Sequence, residues 1–218
     1  MDALYLAKII INKCSDKEDF NLSITKLHKL LYIVYGTYIV LKGKPLFDNE
    51  DDKPACFEHG PLFKSVQREY KKGLLNLKDK YNDIKYSDVE DILINIINQA
   101  IDRFGSYSAI DLSNWTHRDG SAWSKAEKED NYNWGNIIKD NYIKQEFKTI
   151  VRKWLMANKN NKHNDIYKVI PFIINDNPDE NKDPDDPDEL KKKHKTEISK
   201  LTHKITTNIY NFFYFNYE

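Results

Sequence analysis

The chain has 218 residues, with 34 Lys+Arg against 34 Asp+Glu, 7 Gly and 2 Cys. A chain this long buries roughly 70% of its unfolded surface without staples, and Cys14 and Cys56, outside any CxxC spacing, exclude a disulfide framework or zinc knuckle and fit a reducing compartment. The neutral balance argues against a general nucleic-acid binder, and with no basic leader and no apolar run of ~18 residues the expected location is cytoplasmic, without a membrane segment.

In chain order, the first apolar face is Leu4, Ala7, Ile10, Ile11 and Cys14, spaced as on a helix. A longer one follows. Ser23 is a candidate N-cap, and Ile24, Leu27, Leu31, Val34, Tyr38 and Leu41 recur every three or four residues. Gly43 and Pro45 then stop it, predicting a long central helix. Residues 44–60 read as a loop, with Phe57-Glu58 as a short extended piece. Pro61 suits the first turn of a helix carrying Leu62, Val66 and Tyr70 and closed by Gly73.

Ser87-x-x-Glu90 has the form of a capping box, followed by Val89, Ile92, Leu93, Ile96, Ile97, Ala100, Ile101 and Phe104, then Gly105. Ser108 with Asp111 repeats the pattern before Leu112 and Trp115. After a turn at Gly120, a last helix carries Ile143, Phe147, Ile150, Val151, Trp154 and Leu155.

Beyond this the composition shifts. Residues 158–165 are polar, and Ile166–Ile174 is β-branched but broken by Pro171, as an edge strand or extended arm would be. Residues 175–189 hold eight acids, one lysine and three prolines, the composition of a solvated linker. From Leu190 an amphipathic helix runs to Phe212, Phe213, Tyr214, Phe215 and Tyr217, a possible partner-binding tail. The expected fold class is therefore mainly α. A helical domain of six or more helices with at most a small β-hairpin covers 1–157, followed by a linker over 158–189 and a C-terminal helix over 190–218.

Two segments invite a catalytic reading: His59-Gly60-Pro61 and Thr116-His117-x-Asp119 could bind a metal or run acid–base hydrolysis. The structural reading is favoured, with Gly60 permitting a turn, Pro61 starting a helix and both imidazoles hydrogen-bonded to loop carbonyls. No HExxH, no GxSxG, no Walker loop and no GxGxxG occurs. The expectation is no catalytic residue, no cofactor and no metal. Trp115, Trp123, Trp134 and Trp154 read as core, except that Trp123 falls in a turn region where it could anchor a partner.

Three stretches in order carry a resemblance. They are Leu27-His28-Lys29-Leu30-Leu31-Tyr32 through Gly43-Lys44-Pro45-Leu46-Phe47; Phe57-Glu58-His59-Gly60-Pro61 through Val66 and Tyr70; and Phe104-Gly105, Ser108-Ala109, Trp115-Thr116-His117, Gly120 and Trp123. Together, over about residues 1–147, the chain resembles the Panacea-domain family of SocA-like antitoxins and phage-associated GepA-like proteins. It departs at Phe57, where the family often has Trp, at Leu62 for a common valine, and at Ala122 for a common proline. The resemblance implies an antitoxin that neutralises a cognate protein toxin encoded next to it. The alternatives it implies are an adaptor handing the toxin to an ATP-dependent protease, or a phage-encoded interaction module. It marks Phe57, His59, Gly60, Pro61, Trp115, Thr116, His117, Gly120 and Trp123 as signature residues of a partner-binding or structural pocket.

Overall fold

The computed structural model describes residues 1–17, 20–129 and 134–160, with side chains through residue 152. Seven α-helices and one two-stranded sheet make up the described part, which is mainly α as the periodicity predicts. Helix α1 spans Ala3–Ser15 and is capped by the Asp2 carboxylate, which accepts the Tyr5 amide. Helix α2 spans Ile24–Lys42. The Ser23 side chain accepts the Lys26 amide at its start, and Gly43, at φ 75°, closes it, so both sequence signals hold.

Helix α2 is the axis of the domain. Every residue from Lys26 to Ile39 is buried, the pattern of a helix surrounded on all sides. Helices α1, α4 (Asp91–Phe104), α5 (Ala109–His117) and α7 (Asp140–Asn160) all pack on it. Its three tyrosines each reach a carboxylate, two on α7 and one at the start of α4, since a buried phenol must find a partner. Tyr32 donates to Glu146 (2.7 Å), Tyr35 to Asp140 (2.6 Å) and Tyr38 to Glu90 (3.3 Å). At Gly36 the helix lies close against α7: a Cβ there would lie 2.2 Å from the Phe147 ring.

A short strand β1 (Pro54–Ala55) pairs antiparallel with β2 (Leu62–Phe63), Ala55 opposite Leu62. Helix α3 (Lys64–Lys71) follows β2 directly, and α6 (Ala122–Glu129) lies between α5 and α7.

Several boundaries differ from the sequence reading. Pro61 does not start a helix: it precedes β2, and α3 begins at Lys64. Phe57-Glu58 forms no strand and leads into a turn. The Ser87–Glu90 capping box does not form. Residues Tyr86–Asp88 make a 3-10 turn, α4 begins after Glu90 without a side-chain cap, and the Glu90 carboxylate is taken by Lys42 (2.9 Å) and Tyr38 instead. The box at Ser108 does form, with Ser108 and Asp111 capping each other's amides. Helix α6 was not anticipated, so Trp123 sits on a helix rather than in a turn. Helix α7 runs through Asn160, past the expected domain end at 157. The expected linker and the tail with Phe212, Phe213, Tyr214, Phe215 and Tyr217 lie outside the described residues.

Candidate functional site

The His-Gly-Pro segment is a tight turn clamped from three directions. The Gly60 amide donates to the Phe57 carbonyl (2.9 Å), closing the turn, and Gly60 sits at φ 94°, where a side chain is strained. A Cβ there would also meet Thr116 Oγ1 at 2.5 Å and Lys29 Nζ at 2.6 Å. From α2, Lys29 Nζ donates to the carbonyls of His59 (2.5 Å) and Pro61 (3.2 Å). From α5, Ser113 Oγ donates to the same His59 carbonyl (3.3 Å). From α6, Trp123 Nε1 donates to the Phe57 carbonyl (2.9 Å).

Lys29 is only 2% exposed. Burial pulls its amine down to about 7, and a neutral amine still carries two N–H donors for its two carbonyls. Its neighbour His28 is fixed as well. The Phe63 amide donates to Nδ1 (3.3 Å), so Nε2–H donates to Gln67 Oε1 (2.9 Å). Burial holds this imidazole down to about 4. The pair His28-Lys29 thus attaches one turn of α2 to β2, α3 and the His-Gly-Pro turn.

The expectation that both imidazoles tie down loop carbonyls is not met. Lys29, Ser113 and Trp123 make those bonds. The His117 ring lies on the Trp123 indole (centroids 3.9 Å apart, planes 22°), and its buried Nε2 has no hydrogen-bond partner among the described residues. Burial, with the charges of Lys29 and His59 nearby, pulls His117 down to about 4, so it is neutral at physiological pH. The His59 side chain is exposed at the surface. Asp119 does not orient either imidazole but pairs with Lys128 (2.9 Å) in the turn around Gly120.

Trp123 and Trp134 exchange their expected roles, while Trp115 is core as expected. Trp115 (3% exposed) and Trp123 (5%) are core, whereas Trp134 is 41% exposed. Trp134 continues the stack over Trp123, centroids 6.3 Å apart and planes 19°. Trp154 has no described side chain. Beneath the stack, Arg118 lies over Trp115 (4.4 Å) and pairs with the buried Glu146 (2.7 Å), which also accepts Tyr32 and the Ala122 amide.

After Trp134 the chain returns along β1. The Gly135 amide donates to the Cys56 carbonyl and the Cys56 amide to the Asn136 carbonyl, both at 2.7 Å. With Gly135 at φ 97°, two residues face one, which is a glycine-type β-bulge. A Cβ on Gly135 would be 3.7 Å from the Phe57 ring. The bulge therefore sets half-buried Phe57 and exposed Trp134 on neighbouring positions.

Of the expected signature residues, the structure brings together Phe57, His59, Gly60, Pro61, Thr116, His117 and Trp123. Trp115 faces the core, among Phe104 and Phe147. Lys29, Ser113, Trp134 and Gly135 were missed as site residues. A lysine flanked by Leu27, Leu30 and Leu31 in a largely apolar helix was the available signal for the first. Among the described residues no cluster of His, Cys, Asp and Glu could hold a metal ion, and no helix is long and apolar enough to cross a membrane. A separate groove of about 700 Å³, lined by Lys17, Phe20, Lys26, Tyr107 and Ile110 among others, contains none of the signature residues.

Compared with known proteins, residues 27–124 match the family described as antitoxin SocA-like, Panacea domain. No curated protein and no solved structure matches the chain.

Proposed function

We propose, from the SocA-like Panacea domain that this chain carries over residues 27–124, that it is an antitoxin acting by direct binding to a cognate protein toxin. The observation that carries the reading is the convergence of the signature residues, from segments far apart in sequence, on one rigid turn capped by an aromatic stack. The His59 side chain and the Trp134 ring are exposed there. A tryptophan presented on a preorganised surface is the type of residue on which protein–protein affinity concentrates. Clamping the turn in advance lowers the ordering cost of association.

A non-enzymatic role is supported by the local chemistry. A hydrolase using His59, His117 and Asp119 would need the carboxylate to orient an imidazole, and Asp119 is engaged by Lys128. The partner reading implies occlusion of a toxin surface in the cytoplasm. Co-expression with each adjacent open reading frame tests it, scored by growth rescue and by co-purification. Rescue by a stoichiometric complex supports the reading. Absence of any toxic or co-purifying neighbour overturns it.

A further inference from the structure

Ala55 and Ile137 face each other across an antiparallel bridge. The flanking bonds run from the Ile138 amide to the Pro54 carbonyl (2.9 Å) and from the Cys56 amide to the Asn136 carbonyl (2.7 Å). Those bonds bracket the Ala55–Ile137 pair, so it is the non-hydrogen-bonded kind. In such a pair each residue's own N–H and C=O point away from the partner strand. Those of Ala55 face β2. Those of Ile137 face the opposite side, and no described residue bonds to them. The other edge of this small sheet is occupied, because the Phe63 amide is taken by His28 and the Pro61 carbonyl by Lys29. Among the described residues the sheet therefore has one open edge. It lies directly after exposed Trp134 and the Gly135 bulge, beside Phe57.

We propose that this edge is where the partner engages: an extended segment of the bound protein adds a strand by exchanging both backbone hydrogen bonds with Ile137. Its adjacent side chain then packs on Trp134. The proposal rests on the antitoxin reading and names the binding mode at that site. An unpaired N–H and C=O on a sheet edge is a template for another chain. Backbone pairing demands no particular partner sequence, and the aromatic shelf supplies the side-chain contact. The register is short, one residue pair, because the bulge interrupts it on one side and α7 begins at Asp140 on the other.

The test uses the full chain and the co-purifying product of an adjacent reading frame. Amide exchange resolved by NMR is measured with and without that product, and its affinity is measured for Ile137→Pro and Ile137→Val. Proline removes the outward N–H at an edge position where proline is tolerated. The expected results are exchange at Ile137 slowed at least about ten-fold on binding, a Kd weakened about ten-fold or more in I137P, and I137V within about two-fold of the original. If I137P does not fold, the exchange of the unaltered protein decides. A complex that forms with Ile137 exchange unchanged overturns the proposal and leaves the antitoxin reading intact. Slowing that follows the concentration of this chain alone assigns the edge to a second copy and also overturns it. If no adjacent product binds at all, both readings fall together.

Discussion

Lys29 Nζ lies 2.5 Å from the carbonyl oxygen of His59, thirty residues later in the chain. That bond joins the most buried helix of the domain to an exposed signature residue. The surface proposed to meet the partner is thus fixed by the core, and perturbing Lys29 should be felt at both.

The amine of Lys29 titrates near 7 when folded, against an ordinary value of 10.5. Between those values the unfolded chain holds the proton and the folded chain does not, so unfolding takes up a proton and stability rises with pH. Lys29→Met removes both the two carbonyl bonds and this titration. The unfolding free energy of the original protein should gain on that of K29M between pH 7 and 9, measured by urea denaturation. A constant difference would mean that Lys29 stays charged in the fold.

His28 behaves in the same direction at lower pH. Burial holds it near 4 rather than 6.5, so its contribution is present above 6.5 and is lost as pH falls toward 4, while the unfolded chain protonates first. The loss amounts to roughly 3 kcal/mol. His28→Gln should flatten the acid side of the stability profile, even if it lowers stability at pH 7 by disturbing the bonds to Phe63 and Gln67. Parallel acid limbs in the two proteins would contradict this.

Gly36→Ala should destabilise by about 1–3 kcal/mol, because its Cβ meets the Phe147 ring rather than space. Shrinking that ring should recover part of the loss. In a double-mutant cycle, G36A should cost less in a Phe147→Leu background than alone. Purely additive effects would show that the two helices separate freely.

Glu146 accepts Tyr32, Arg118 and the Ala122 amide while 9% exposed. Glu146→Ala strands all three donors. It should cost about 3–5 kcal/mol, lowering Tm by well over the effect of an exposed ion pair such as Lys80–Asp16. Equal shifts for the two disruptions would refute the buried-hub assignment.

Trp134→Ala should separate binding from folding. Its ring is 41% exposed, so Tm should move by only about 2 °C, whereas partner affinity should fall about ten-fold or more. Trp123→Ala should do the reverse first: its buried ring and its bond to Phe57 make it a stability residue. Growth rescue and thermal melts on the two variants discriminate the roles.

The sequence by itself determined what is local and periodic. The bounds of α2 were legible because Ser23 and Gly43 satisfy the orphan groups at either end of an apolar repeat. The Ser108–Asp111 box was legible for the same reason. The identical pattern at Ser87–Glu90 failed because a stronger long-range partner competed: Glu90 is drawn to Lys42 and Tyr38 of α2, and no local rule weighs that. Trp123 and Trp134 were misjudged because their burial depends on helix α6 and on the Gly135 bulge, both set by pairing with residues about 65 to 80 positions earlier. The signature residues could be named from their order, but only the tertiary structure decided their roles. A lysine buried on α2 shapes the turn, a histidine stacks on Trp123, and one strand edge stays open among the described residues, because distant segments either satisfy a backbone group or leave it unpaired.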